Sequence, residues 1–196
     1  EAIRKYIAYV ADLATKISKM LIASLGLDVD AFYHSDFENW KSHMRINNYY
    51  SSDGRMSMEE EFPSAHTDIG LFTILYQGNE GGLQVRSKEG KWLNVKPLPH
   101  SFVINVADCF KAWSNGRYHS AEHRVVYKGW ENRISLPYFV QFPPDKQILA
   151  PEELVDDDHP RRYRPFTFSH FKTEFYKDLN PKVKQPAVFI DTYAAI

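Results

Sequence analysis

The chain has 196 residues, 24 of them Lys or Arg and 25 Asp or Glu, for a formal net charge of −1. That length fits one compact domain with a sizeable core, and the mixing of both signs argues against a surface built for nucleic acid or membrane polyanions. A single cysteine, Cys109, excludes a disulfide framework within the chain and a cysteine-based zinc site, and it fits a reducing, cytoplasmic setting.

Ile3, Ile7, Val10, Ala14, Ile17 and Leu21 recur at three- and four-residue steps. They predict an amphipathic helix that stops near Gly26. Residues 44–50 then read as a strand, 51–54 as a turn and the acidic 56–63 as a loop. Short strands are expected at 71–76, 82–86, 92–95, 101–106, 123–127 and 133–142, with glycine-containing turns at 78–82 and 88–91. Many short strands at such spacing point to a sandwich or jelly roll. In the tail, 151–154 reads as a helical turn. Ser169 is expected to cap a last helix with Phe171, Phe175 and Leu179 on one face. No apolar run approaches the ~20 residues that span a bilayer.

The chemistry concentrates in a few polar residues within these strands. In extended chain, residues i and i+2 share a side, so His66 and Asp68 can converge on one point. Alone, a His-x-Asp is as well explained by a hydrogen-bonded pair in a turn. Of the other histidines, His123 enters an apolar strand, where a buried imidazole needs a partner. His119 follows a turn and is expected to be exposed. His66, Asp68 and His123 are therefore the expected metal ligands. Two imidazoles and one carboxylate leave open positions that suit non-haem Fe(II), with zinc hydrolysis as the competing use. Arg133-Ile134-Ser135 separates the two. It puts a guanidinium and a hydroxyl on one strand face, fit to hold a carboxylate, and Asn47 and Tyr49 share a face on another strand. A hydrolase does not need that second anion site, whereas an oxygenase with a dicarboxylate co-substrate does.

These residues carry a resemblance. Arg45-x-Asn47-x-Tyr49, His66-Thr67-Asp68, Gly82-Leu83-Gln84-Val85, Trp113-Ser114-Asn115-Gly116-Arg117-Tyr118, His123-Arg124 and Arg133-x-Ser135 occur in this order along nearly the whole chain. Together they resemble the plant-type Fe(II)/2-oxoglutarate-dependent dioxygenases. The tail, with Pro151, His159-Pro160, Tyr163 and Pro165-Phe166, looks like the gibberellin-oxidase, auxin-oxidase and glucosinolate-side-chain branch. The resemblance implies a mainly β fold with flanking helices, a double-stranded β-helix, with 1–196 forming a catalytic domain that lacks the family's usual N-terminal segment. It implies Fe(II) on His66, Asp68 and His123. It also implies 2-oxoglutarate on Arg133, Ser135 and Tyr49, with Asn47 nearby, and O2 as the oxidant. The implied reaction hydroxylates or desaturates a small organic molecule, a hormone or specialised metabolite, and releases succinate and CO2.

Phe72, Tyr76, Phe110, Trp113 and Phe139 are aromatics for either the pocket wall or the core. Pro137, two residues past Ser135, is expected to put its strand at an edge or a bulge. The rival readings are a non-catalytic jelly-roll module or truncated inactive relative, and, third, a zinc hydrolase.

Overall fold

The computed structural model describes residues 1–49, 65–126, 133–177 and 189–196. The turn expected at 51–54, the loop at 56–63, Tyr50, Tyr127 and Leu179 lie outside these residues. Helix α1 (Ala2–Ser24) has Val10, Ala14, Ser18 and Ile22 as its buried line. This corrects the expected stripe. Ile17 and Leu21 are only half-buried, and Ile3 and Ile7 are exposed. Ser18 takes a core position because its hydroxyl donates to the Ala14 carbonyl at 2.9 Å. Gly26, at φ 74°, ends the helix as expected. Helix α2 (Val29–Phe32) is capped by Asp28, whose carboxylate accepts from Ala31 N–H, and it continues into a wide π-helical turn, Tyr33–Phe37.

Among the described residues ten short strands follow: β1 (Lys41–Met44), β2 (Asn47–Tyr49), β3 (Phe72–Tyr76), β4 (Leu83–Arg86), β5 (Trp92–Asn94), β6 (Val103–Val106), β7 (His123–Val125), β8 (Arg133–Gln141), β9 (Gln147–Ile148) and β10 (Phe166–Thr167). The larger sheet runs β1-β8-β3-β6, with β2 also on β8, and a smaller one runs β5-β4-β7. Side chains of both sheets line one cavity, which is the jelly-roll arrangement.

The larger sheet divides its labour by strict alternation. Phe72, Ile74, Tyr138 and Val140 point into the core, where Phe37, Phe110, Trp113 and Phe142 cluster with ring separations from 4.8 Å. Their neighbours Thr73, Leu75, Pro137 and Phe139 point into the cavity. Phe110 and Trp113 are therefore core residues, and of the five aromatics considered for the wall only Phe139 lines this cavity. Each such ring contributes roughly 1.5–3 kcal/mol by leaving water, which is reason enough for its burial.

The expected strand at 44–50 is split into β1 and β2, and β8 is central rather than an edge. Both corrections trace to Pro137. β1 and β2 pair with β8 in one unbroken register, from Lys41↔Gln141 to Tyr49↔Arg133, and so does β3 on the other side. There is no bulge. Arg45 N–H donates to the Pro137 carbonyl at 3.1 Å, but proline has no N–H to return. The missing bond falls between β1 and β2, and the β3 side of the ladder is spared.

Helix α3 (Asp108–Trp113) was not legible as a helix, being six residues and mostly buried. The motif that follows it is structural. Asn115, at φ 52°, donates to the carbonyls of Leu154, His159 and Pro160 and accepts from Arg162 N–H, so it ties the tail to α3. The helical turn at Glu152–Leu154 forms as expected. Helix α4 (Phe168–Lys177) buries Phe171 and Phe175, but Ser169 lies inside it. The Thr167 hydroxyl instead accepts from His170 N–H, at 3.4 Å. A last short helix, α5 (Ile190–Tyr193), was not expected.

Candidate active site

His66, Asp68 and His123 come together. Their ligand atoms all lie within 4.8 Å of one another, the one such group of three or more among the described residues. His66 is joined to the start of β7 by two backbone bonds, His66 N–H to His123 O at 3.0 Å and the reverse at 2.9 Å. The two imidazoles therefore lie side by side, with centroids 4.4 Å apart. Asp68 sits two residues on, its carboxylate 3.9 Å from His66 Nε2 and 3.8 Å from His123 Nε2.

The protonation pattern follows from the neighbours. The Ala121 carbonyl, which can only accept, lies 3.0 Å from His123 Nδ1, and Asn105 Nδ2 lies 3.2 Å from the same atom; a proton on Nδ1 satisfies the shorter contact. Nε2, the atom nearer Asp68, then keeps its lone pair for a metal. Asp68 Oδ2 accepts from Thr73 Oγ1 at 2.6 Å and Asn105 Nδ2 at 3.0 Å. Burial opposes ionisation of Asp68, but the two imidazoles and these two hydrogen bonds outweigh it and hold the carboxyl below its usual range. Thr73 and Asn105 are functional neighbours that the sequence reading missed. A polar residue on a strand gives no sign of which face will be buried.

The second group assembles by register. Tyr49 pairs with Arg133 and Asn47 with Ser135 across β2 and β8, so all four share one face. Arg133 is 1% exposed and Ser135 2%. Arg133 Nε donates to the Gly81 carbonyl at 2.5 Å, and its guanidinium lies 4.6 Å over the Tyr49 ring. Gly81 holds φ 71°, a left-handed turn that glycine adopts without strain, and so presents that carbonyl. A guanidinium this deeply buried is oriented before any ligand arrives.

Both groups line the same cavity of about 310 Å³, together with apolar Leu75, Leu83, Val85 and Val125. A second chamber of about 280 Å³ shares His66, Asp68, Arg45 and Phe139 with it and adds His43, Gln141 and Tyr176. His43 stacks on Phe139 at 4.6 Å, and Arg45 lies 5.8 Å from the same ring. Arg45 is exposed and forms no ion pair among the described residues. His119 is exposed, as expected. His34, His43, His100, His159 and His170 are exposed as well, His43 on β1.

Comparison with known proteins agrees with this arrangement. Residues 41–142 match the family model described as the 2OG-Fe(II) oxygenase superfamily, a span that contains every residue of both groups. The chain is 38% identical over 189 residues to gibberellin 20 oxidase 1-B of Triticum aestivum, covering 96% of this chain and 51% of that protein. Among solved structures, the dioxygenase for auxin oxidation (DAO) in rice superposes with a TM-score of 0.80 at 34% identity, over 99% of this chain and 63% of that one. JOX2, crystallised with 2OG, Fe and JA, gives 0.77 at 34% identity, over 87% and 50%. The chain spans about half the length of the curated relatives it matches. With a family model covering more than half of its residues, the chain belongs to the 2OG-Fe(II) oxygenase superfamily.

Proposed function

We propose that this chain carries the catalytic centre of an Fe(II)- and 2-oxoglutarate-dependent oxygenase acting on a small organic molecule. The observation that carries the reading is one cavity with two built ends. At one end stand two imidazoles and a carboxylate; at the other, a buried Arg-Ser pair backed by a tyrosine. The donor set fits iron. It offers two imidazole nitrogens and one carboxylate oxygen from one side and leaves the cavity side open for further ligands.

In this reading His66, Asp68 and His123 hold Fe(II). Thr73 and Asn105 fix the Asp68 carboxylate, and the Ala121 carbonyl and Asn105 hold the His123 ring at Nδ1. Arg133 and Ser135 take the distal carboxylate of 2-oxoglutarate, with Tyr49 and Asn47 beside it. The Leu75, Leu83, Val85 and Val125 wall keeps water from the intervening space. Iron with 2-oxoglutarate and O2 supplies C–H oxidation, with release of succinate and CO2. The substrate enters from the second chamber, where Phe139 offers an apolar face and the exposed Arg45 meets an acidic or polar substituent. The names of the relatives, which include auxin oxidation and gibberellin, support a hormone or specialised metabolite of a plant as that substrate, with hydroxylation or desaturation as the outcome. The single cysteine supports a cytoplasmic setting.

The test is a screen of small organic acids and phenolics for succinate release that requires both iron and 2-oxoglutarate, paired with the substrate's mass change. Release of succinate with a substrate mass gain of one oxygen, or loss of two hydrogens, is expected. Turnover that persists without oxygen and 2-oxoglutarate would overturn the reading in favour of hydrolysis. No iron-dependent succinate with any substrate would leave a binding module.

A further inference from the structure

Among the described residues only two acids are buried, Asp68 and Asp108, and the chemistry above uses only the first. Asp108 opens α3 on the side of the 65–70 segment away from the cavity. Thr67, between His66 and Asp68, points to that side by the same alternation that turns its neighbours together. Its hydroxyl donates to Asp108 Oδ2 at 3.0 Å. The Asp108 N–H donates to the Asp68 carbonyl at 2.8 Å, and Cys109 and Ala107 donate to Gly70 and Leu71 at 3.0 Å each. Gly70 permits this approach on its other side, where a Cβ would run into the Val140 carbonyl. Asp108 thus reaches the segment that carries His66 and Asp68 twice, through its carboxylate on Thr67 and through its backbone N–H on Asp68. A buried carboxylate is a costly way to accept one hydroxyl hydrogen bond, so ordinary packing accounts poorly for an aspartate here.

We propose that Asp108 is a positioning residue: it grips Thr67 and the Asp68 backbone from behind and so holds His66 and Asp68 in the orientation that binds the metal. This rests on the reading of His66, Asp68 and His123 as ligands. Thr67→Val removes the hydroxyl at nearly constant shape, Thr67→Ser keeps it, and Asp108→Asn keeps an acceptor oxygen. Cobalt(II), titrated into each protein and followed by its visible absorption, reports both affinity and ligand geometry. Thr67→Val should bind cobalt(II) roughly 10–100-fold more weakly than the parent, with an altered spectrum, as the loss of a residue behind a metal ligand typically does. Thr67→Ser and Asp108→Asn should bind close to the parent. A merely structural role would lower the unfolding midpoint and leave the affinity and spectrum of the folded protein unmoved. Parent-like binding and spectrum in Thr67→Val overturn the clamp and leave the ligand assignment standing. A parent protein that does not bind cobalt(II) overturns the ligand assignment, and the clamp with it.

Discussion

The two ends of the cavity are built by different means. At the Arg133 end, the facing of four side chains follows from regular pairing: once β2 and β8 are in register, Tyr49 and Asn47 fall opposite Arg133 and Ser135. At the His66 end there is almost no ladder. His66 makes an isolated bridge to His123 outside the named strands, and Asp68 lies in no strand at all. What the ladder does for one end, individual hydrogen bonds from Thr73, Asn105 and the Ala121 carbonyl do for the other. The lesson is that a regular sheet positions groups through many shared bonds, each dispensable, whereas an irregular segment depends on a few. The metal end should therefore be sensitive to residues that never touch a ligand. The anion end should be sensitive mainly to the residues that do.

The largest effects come from deleting the contacting groups themselves. His123→Ala removes one of three ligands and should abolish iron-dependent succinate release, whereas His119→Ala, at an exposed histidine, should largely preserve it. The opposite pattern would show that the wrong histidine has been assigned. Arg133→Ala leaves a co-substrate carboxylate without its partner in a buried site. Such truncations cost ~2–5 kcal/mol, or roughly thirty- to several-thousand-fold in affinity. Calorimetric titration of 2-oxoglutarate into anaerobic, iron-loaded protein should show that loss with iron binding nearly intact. Arg133→Lys should recover only part, because a point charge cannot reproduce the planar fork. Ser135→Ala should usually cost less, ~1.5–3 kcal/mol for a hydrogen bond to a charged group.

A sharper test of the contrast lies one layer out. Asn105→Ala takes away one of the two donors on Asp68 Oδ2 and should weaken iron about 10–100-fold, a typical cost for a residue behind a ligand. The same change leaves the β2–β8 ladder untouched. Once iron is saturating, 2-oxoglutarate affinity should stay near the parent's. Equal losses at both ends would mean that the two are mechanically one unit, and the distinction drawn here would fail.

This difference also decides what could be read from the chain. Arg133-x-Ser135 and His66-x-Asp68 were legible because alternation is a local rule that needs no partner strand. Five of the six strands expected from residue 71 onward form within two residues of their expected bounds within the described residues, since each is framed by glycine, proline or turn residues. The sixth, expected at 123–127, begins at His123 as expected, and its last residue lies outside the described residues. What was illegible is non-local. Asn105 and Thr73 look like any polar strand residue until pairing of β3 with β6 sets Thr73 opposite Asn105, on the face beside Asp68. The Ala121 and Gly81 carbonyls have no sequence signature whatever. Helix α3 was missed for a local reason: six residues, nearly all buried, show no amphipathic period. Pro137 was misjudged because a missing donor argues for an edge only if that donor would have faced a full strand.

Pro137 supplies the smallest and most exacting prediction. Its pairing with Arg45 is of the type in which two residues exchange both backbone bonds, and only one of the two is made. Pro137→Ala restores an N–H directed at the Arg45 carbonyl. The new bond should contribute about 0.5–1.5 kcal/mol. Against it, alanine gives the unfolded chain more freedom than proline, which costs roughly 0.4–1 kcal/mol. The apolar ring also lines the cavity, so some buried contact is lost as well. The terms nearly cancel, and the unfolding free energy should move by less than about 1 kcal/mol in either direction. Stability alone therefore does not decide the matter; hydrogen exchange does. If proline is what splits β1 from β2, the new amide at 137 should be protected like its neighbours in β8, and β1 and β2 should behave as one strand. If that amide exchanges like open chain while the protein stays folded, the break at Arg45–Ile46 has another cause, and regular pairing does not by itself explain how Asn47 and Tyr49 reach the cavity.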